Sequence, residues 1–286
     1  MKKFTLFFLL LGIQLLFKLQ AQQVFNYSFY KSLINQKENE VALLYLYNCS
    51  QITSNPQLLD SVFFFSGKLL FDKKAFSPAV NKLNKITGNS VFAQQARLYE
   101  VIGLTYLDSS EQYIISRLPA HNPSDSVFNQ IVNISHAAIA LIKNNIQQYD
   151  SLHHTINDSL YYYQSLKATL NKWRVNSAKH KKSPLVAAGL SVIVPGLGKV
   201  YANKPYDGLS TFLTHIPLAL ILIESQSKAG VNSPRFITFS AIASLFYIGN
   251  IWSSYFYILK HRKEVNFDRK NEILLQCNVM LRSYYN

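Results

Sequence analysis

Apolar residues recur at three- and four-residue spacing along the first half of the chain, as far as about residue 175. This spacing places apolar side chains on one face of an α-helix, whereas half-buried strands would require strict alternation. Clusters of Pro, Gly, Asn and Ser separate the periodic segments and mark turns. The segments are Asn39–Tyr47, Leu58–Leu70, Ala79–Ile86, Val91–Leu107 and Val127–Tyr149. We therefore predict an all-α fold whose first part is a helical domain over residues 23–175.

Two of these segments share a motif around a glycine. An aromatic residue precedes Gly67 and Gly103 by four positions, and a bulky residue follows each glycine by three. The glycines lie 36 residues apart, close to the 34-residue period of tetratricopeptide repeats. Residues 40–120 thus resemble a degenerate tetratricopeptide array, which implies a concave protein-binding surface. An irregular helical bundle would fit the same apolar pattern.

Three apolar segments follow in the second half. Leu185–Val194 has 10 residues, Leu209–Ile223 has 15, and Phe236–Leu259 has 24 without a formal charge. A helix needs about 20 apolar residues to cross a bilayer. We therefore predict a half-helix over 185–195 and two transmembrane spans over about 208–224 and 236–259.

The stretch SVIVPGLGKVYANKPYDGL (Ser191–Leu209) joins the first two of these segments. Its proline must end or kink the preceding helix, and its glycines allow a sharp turn and close helix approach. It resembles the entry motif of a family of small bacterial membrane modules built on two transmembrane helices. The matching residues are Pro195, Gly196, Gly198, Tyr201 and Gly208. Family members often carry Gln and Gly where this chain has Lys199 and Asn203. The resemblance implies a membrane module without established catalytic residues.

Composition and charge agree with a membrane module. Hydrophobic residues make up 49% of the chain and charged residues only 15%, against roughly 25% charged in soluble domains. The net charge is +14, and its basic residues flank the apolar segments, which suits anionic lipid head groups. RNA binding would require exposed stacking aromatics, and Trp173 alone offers no such platform. The residues assigned to face lipid are Lys179, Lys181, Lys182, Lys260, Arg262 and Lys263.

The N-terminus predicts an envelope location. Lys2 and Lys3 precede the 14-residue apolar run Phe4–Phe17, and Ala21 offers a small residue for cleavage. This order is typical of a signal peptide, and an uncleaved anchor is the alternative. We expect the helical domain to lie in the periplasm and the protein to lie in a bacterial inner membrane. The resulting organisation is a signal peptide (1–21), a helical repeat-like domain (23–175), a basic juxtamembrane linker (176–184), a membrane module (185–263) and a polar tail (264–286).

The side of the membrane reached by the C-terminus depends on the number of spans. Two spans plus a half-helix return the C-terminus to the periplasm. The basic flanks of the spans would then lie outside, which the positive-inside tendency opposes. Three spans would place Lys260–Lys270 inside, but the first span would then be very short. We favour two spans. A disulfide between Cys49 and Cys277 would exclude the three-span alternative.

Recognisable enzyme chemistry is missing from the sequence. His153 and His154 are adjacent, so their side chains point to different helix faces and make a poor metal pair. There is no zinc-ligand spacing, no nucleophile elbow and no phosphate-binding loop. We therefore predict a non-enzymatic protein without catalytic, cofactor-binding or metal-binding residues.

Two features of the sequence can be explained either by a structural role or by a functional one. Asp followed by Ser and an aliphatic residue recurs at Asp60, Asp125, Asp150 and Asp158. Such residues usually cap helices, but the pattern also resembles O-glycan acceptor sites on envelope proteins of some bacteria.

His215 and Glu224 are the ionisable residues in or bordering the second span. Ionisable residues within a membrane span are candidates for a functional role. The structural alternative is that Glu224 marks the end of the helix and His215 packs within the hairpin.

These patterns favour an envelope scaffold, anchored by its C-terminal hairpin, whose helical domain binds other envelope proteins. The alternative is an accessory subunit of a transport or membrane-insertion system that acts through the hairpin. The expected partners are membrane lipids and other envelope proteins, with no nucleic acid and no cofactor. A homo-oligomer stays open.

Overall fold

The structure is a computed structural model that describes residues 25–157, 161–178 and 182–285. The predicted signal peptide, Lys179, Lys181 and the Asp158 site lie outside the described residues. Helix accounts for 79% of the structure and no β-strand occurs among the described residues, which confirms the all-α prediction. The helices are α1 (Tyr27–Asn35), α2 (Asn39–Ile52), α3 (Pro56–Asp72), α4 (Phe76–Leu83), α5 (Ala93–Tyr106), α6 (Glu111–Ser116), α7 (Ser126–Ile142), α8 (Ile146–His153), α9 (Gln164–Ala178), α10 (Pro184–Ile193), α11 (Leu197–Tyr201), α12 (Pro205–Ala229) and α13 (Pro234–Tyr285), with a 3₁₀ turn (Tyr161–Tyr163) before α9.

The chain divides into two compact units. The first contains the residues up to Asn171 together with Asn271–Asn286, and the second is Lys172–Lys270. Helix α13 therefore begins in the second unit and ends in the first.

Four helical hairpins follow one another in the first unit, and each contains the same tight turn. The pairs are α1–α2, α3–α4, α5–α6 and α7–α8, and each helix from α1 to α7 packs on the helix that follows it. One residue in every turn has a left-handed backbone: Lys37 (φ 62°), Lys74 (φ 61°), Asp108 (φ 57°) and Asn144 (φ 64°). Backbone hydrogen bonds from this residue and the next close the end of the preceding helix, a common way to terminate helices. The turns recur at intervals of 34 to 37 residues.

One of these turns divides a predicted segment. The apolar run Val127–Tyr149 forms two helices, because α7 ends at Ile142 and α8 begins at Ile146. Asn144 adopts the left-handed conformation, and Asn145 Oδ1 accepts a hydrogen bond from the backbone N–H of Gln148 (3.3 Å). Asn tolerates left-handed geometry and caps helices well, so the two asparagines end one helix and start the next.

Gly67 and Gly103 do not occupy equivalent positions in the hairpins. Gly67 lies seven residues before its left-handed turn residue, whereas Gly103 lies five before its own. A Cβ atom at Gly67 would come within 2.7 Å of the Leu83 side chain, and one at Gly103 within 2.7 Å of the Val80 side chain. Both glycines therefore pack against α4, from α3 and from α5. The recurring feature is the turn and not the glycine motif.

A buried carboxylate joins α5 to the end of α6. Glu100 is 1% exposed and accepts hydrogen bonds from Arg97 Nη1 (2.7 Å) and Arg117 Nε (2.8 Å). Burial raises the pKa of Glu100, and the Arg97 guanidinium lowers it only in part. The ion pairs thus compensate incompletely for the removal of this carboxylate from water.

Residues 264–285 of the predicted polar tail (264–286) are instead part of α13, and from residue 271 they belong to the first unit. Apolar residues recur there at helical spacing and are almost fully buried; they are Ile273, Leu274, Cys277, Met280 and Leu281. Arg282 forms an ion pair with Asp72, and the Tyr284 hydroxyl donates to Asp125 Oδ2 (2.8 Å). The end of α13 is therefore a structural part of the helical unit.

Both cysteines lie in the first unit as buried thiols that do not form a disulfide. Burial raises the pKa of Cys277 to about 12 and also raises the pKa of Cys49. The disulfide that would have excluded three spans is thus not formed.

In the second unit, α12 and α13 are long and apolar enough to cross a membrane. Their most apolar 18-residue windows both have a mean hydropathy of 1.4, and only 11% and 6% of those windows are buried. Large apolar side chains such as Leu220, Ile223 and Leu245 are exposed. Continuous apolar surfaces of this size mark interaction with a membrane or with other proteins. Their length and composition indicate a membrane-associated protein.

Candidate functional site

The Pro-Gly turn of the second unit has a backbone that only glycine adopts easily. Helix α10 ends at Ile193, and Val194 is extended, as expected for the residue before a proline. Gly196 has a φ of +90°, and a Cβ atom there would lie 2.1 Å from the carbonyl oxygen of Gly208. Glycine is therefore required at position 196 for two reasons: its backbone angle is positive, and the start of α12 leaves no room for a side chain.

Gly198 brings α11 against α10. A Cβ atom at Gly198 would lie 2.0 Å from the carbonyl oxygen of Ala187. Its N–H donates to Ser191 Oγ (3.1 Å). The glycines of the motif thus allow α10, α11 and α12 to pack at backbone contact.

Tyr201 connects the motif to the preceding linker. Its hydroxyl accepts a hydrogen bond from the Ser183 N–H (3.1 Å), and its carbonyl accepts one from Lys182 Nζ (2.5 Å). Two residues later Asn203 has a φ of 65°. Asn is among the few non-glycine residues that adopt this conformation readily, so Asn203 forms the turn without a glycine.

A buried polar cluster holds α10 against α13. Ser191 Oγ lies 2.8 Å from Ser254 Oγ, and Asn250 Nδ2 donates to the Ser191 carbonyl (3.4 Å). Ser191 and Ser254 are 0% exposed and Asn250 is 4% exposed. None of these residues is among the site residues predicted from the sequence. Asn250 and Ser254 could have been noticed as polar residues inside the 24-residue apolar stretch.

His215 lines a polar groove between α12 and α13. Its Nδ1 lies 2.7 Å from the Thr211 carbonyl oxygen, and Lys199 Nζ donates to Thr211 Oγ1 (2.8 Å). Its Nε2 is buried and has no hydrogen-bond partner among the described residues. The groove has a volume of about 470 Å³ and also contacts Asn250.

Glu224 lies apart from this groove. It is partly exposed near the end of α12, where Oε1 is 2.9 Å from Lys228 Nζ and 4.0 Å from Arg235 Nη2. The structure therefore does not bring the two candidate ionisable residues of the second span together.

The residues assigned to face lipid separate into two groups. Arg262 Nη2 donates to the carbonyl of Lys182 (2.6 Å), so these two residues are in contact. Lys260 is exposed 3.9 Å from Glu264, and Lys263 is exposed. Arg269, which is not among the residues predicted from the sequence, lines the same cavity as Arg262 and Lys182.

The Asp-Ser-aliphatic sites have different environments. Asp125 caps α7 by accepting from the Phe128 N–H (2.8 Å). Asp60 instead lies within α3, is 4% exposed, and accepts from the Thr87 N–H and hydroxyl at 3.1 and 2.6 Å. Asp150 lies within α8. Asp125 is thus a helix cap, whereas Asp60 fixes the loop after α4 through its hydrogen bonds to Thr87.

The described residues contain no group of three or more His, Cys, Asp or Glu side chains that could hold a metal ion. No protein family, curated protein or solved structure matches the chain.

Proposed function

We propose that this chain is a non-enzymatic, membrane-anchored envelope protein whose helical unit is a scaffold for binding other proteins. The observation that carries the proposal is the series of four hairpins with the same left-handed turn at intervals of 34 to 37 residues. Stacked helical hairpins of this length form extended surfaces that suit protein binding. We include the tetratricopeptide-like assignment in this proposal, with the turn as its repeating feature.

An exposed apolar stripe on α2 is the surface we assign to a partner protein. Val41, Leu44 and Tyr47 are 45%, 60% and 55% exposed. They lie three residues apart and so share one face of the helix. The opposite face packs into the core through residues such as Leu46. Exposed aromatic and aliphatic side chains in one patch are typical of the centre of a protein interface.

We further propose that the protein crosses a bacterial inner membrane twice, with the helical unit in the periplasm. The support is the course of α13, whose apolar part is followed by a segment packed into the helical unit. A chain that enters and leaves the membrane on the same side must cross it an even number of times. The signal-like N-terminal segment favours the periplasmic side.

Site-specific photo-cross-linking in native membranes tests the scaffold proposal. A photoreactive residue would replace Leu44 or Tyr47, with Ser151, an exposed polar residue of α8, as the control position. We expect discrete adducts at the first two positions and none at Ser151. Leu44→Glu should abolish the Tyr47 adduct while the helical circular dichroism spectrum stays unchanged. A cross-link between two copies would identify a homo-oligomer as the partner.

The accessory function is the second candidate, because His215 lines a groove with further polar groups and its buried Nε2 has no hydrogen-bond partner among the described residues. It predicts adducts through the hairpin, for example at the exposed Gly249 position, and loss of function on His215→Ala. Retention of function after deletion of the helical unit would refute the scaffold proposal and favour the accessory one.

A further inference from the structure

A cavity of about 450 Å³ lies in the second unit, beside the part of α13 that follows the apolar stretch. It is enclosed by α9, the linker before α10, the turn after α11, and α13. Its principal lining residues are Trp173, Lys182, Asn203, Ile258, Arg262 and Arg269.

Three cationic side chains surround this cavity, and none of its lining residues is Asp or Glu. Arg262 and Arg269 lie seven residues apart, two turns along the same face of α13. Lys182 approaches from the linker, where its Nζ donates to Asn203 Oδ1 (2.5 Å). Like charges held around one partly buried volume repel each other, so the arrangement favours an anion between them.

Hydrogen bonds hold the two guanidinium groups in place. Arg262 donates through Nη2 to the Lys182 carbonyl, while its buried Nε has no hydrogen-bond partner among the described residues. Arg269 is 6% exposed and donates through Nη1 to Ser177 Oγ and through Nη2 to Asn266 Oδ1, both at 3.2 Å. Burial lowers the pKa of Arg269, and a nearby anion would oppose this effect.

Part of the cavity lining is apolar. Ile258 and Ala202 are 2% and 6% exposed, and Trp173 is 7% exposed. Ile258 also belongs to the apolar stretch of α13. The cavity therefore combines cations and amide groups with an apolar surface, part of which, Ile258, belongs to the apolar stretch of α13.

We infer that this cavity binds a phosphate group, carried either by an anionic phospholipid or by a free phosphate ester. Arginine forks match the geometry of phosphate oxygens. Phosphate offers several acceptors at once, which suits the number of donors converging here. Basic pockets beside transmembrane helices are known to suit phospholipid head groups. The site is independent of whether the helical unit binds a protein.

The test compares two probes on the full-length protein in detergent. Phosphatidylglycerol or zwitterionic phosphatidylcholine would be added as mixed micelles, and retained lipid would be counted by native mass spectrometry. Inorganic phosphate would be added in a separate titration followed by thermal unfolding. Retention of phosphatidylglycerol alone identifies the lipid as the source of the phosphate, whereas stabilisation by inorganic phosphate identifies a site for free phosphate esters.

Arg262→Gln and Arg269→Gln should each weaken binding by about tenfold or more, the effect of losing a hydrogen bond between charged groups. Lys228→Gln and Arg235→Gln remove the same charge from exposed side chains that do not line the cavity and should change binding by less than about twofold. If Arg269→Gln fails to fold, as judged by gel filtration and circular dichroism, Arg262→Gln and Lys182→Gln decide the matter. Equal losses in all variants, or no retention of either probe, would overturn the inference.

Discussion

Glycine at position 198 shows how strictly single residues are chosen in the second unit. The Gly198 backbone lies so close to the Ala187 carbonyl that a methyl group has no room. Gly189, in α10, has nothing within 4 Å of the position its Cβ would take. The two glycines therefore look alike in sequence, but only Gly189 has room for a larger residue.

We predict that Gly198→Ala destabilises the protein by about 1–3 kcal/mol, the usual cost of overpacking. Gly189→Ala should be neutral or stabilise by up to about 1 kcal/mol, because alanine favours helix. Denaturant unfolding of the full chain in detergent measures both. Equal effects would show that the contact between α10 and α11 is not as close as described.

Glu100 gives a prediction about pH. Burial raises its pKa above the ordinary value of 4.5, so the native carboxyl binds its proton at a higher pH than the unfolded one. The stability contributed by this group is fully present below the unfolded pKa and is lost as pH rises through the native pKa.

We therefore expect the stability of the natural protein relative to Glu100→Gln to be greatest below pH 4.5, the ordinary pKa of the carboxyl, and to fall as pH rises. Thermal unfolding of both proteins over the same pH series tests this. A difference that grows with pH would mean that the arginine pairs outweigh burial.

At the scale of elements, the most informative helix is α13. Its 52 residues would extend about 78 Å at 1.5 Å per residue. The charged residues after Leu259 suggested a boundary and a polar tail. The apolar residues beyond them, however, keep the same helical spacing and enter the core of the first unit. Helical continuity across a charged segment is compatible with local sequence, but only packing partners make it stable.

Substitutions near the end of α13 test this assignment. Met280 is 0% exposed, whereas its neighbour Val279 is 41% exposed. Met280→Ala should destabilise the protein by about 2–5 kcal/mol, while Val279→Ala should remain within about 0.5 kcal/mol. Chemical denaturation monitored by circular dichroism distinguishes them. If both are neutral, the last turns of α13 are not part of the core.

The repeating turns are a second feature that the local sequence did not predict. The sequence motif selected two glycines with a plausible period, but the structure repeats a left-handed turn formed by Lys, Lys, Asp and Asn. No single residue type marks these turns, because lysine adopts a positive φ only when the surrounding hydrogen bonds require it. Helix content was thus predictable from periodicity, while the repeat register was not.

At the scale of the whole molecule, the two-span proposal makes a labelling prediction. Cysteines introduced at the exposed residues Gln51 and Ser283 should react equally with a membrane-impermeant thiol reagent applied to spheroplasts. A cysteine at Lys228, near the loop between α12 and α13, should react only after permeabilisation.

The native cysteines, both buried, provide the background in the unsubstituted protein. Opposite labelling of positions 51 and 283 would contradict the two-span arrangement, and equal labelling of all three would contradict a membrane crossing by α12 and α13.

Local physical chemistry let the sequence alone determine the helical class, the apolar helices and the glycine-rich turn. Apolar periodicity, segment length and proline geometry act over a few residues and can be read without a fold. Tertiary structure decided the rest: the last helical turns as core, the separation of Glu224 from His215, and Arg262, Arg269 and Lys182 around one cavity. These features join residues distant in sequence, and their energies depend on burial and on neighbours that exist only once the chain has folded.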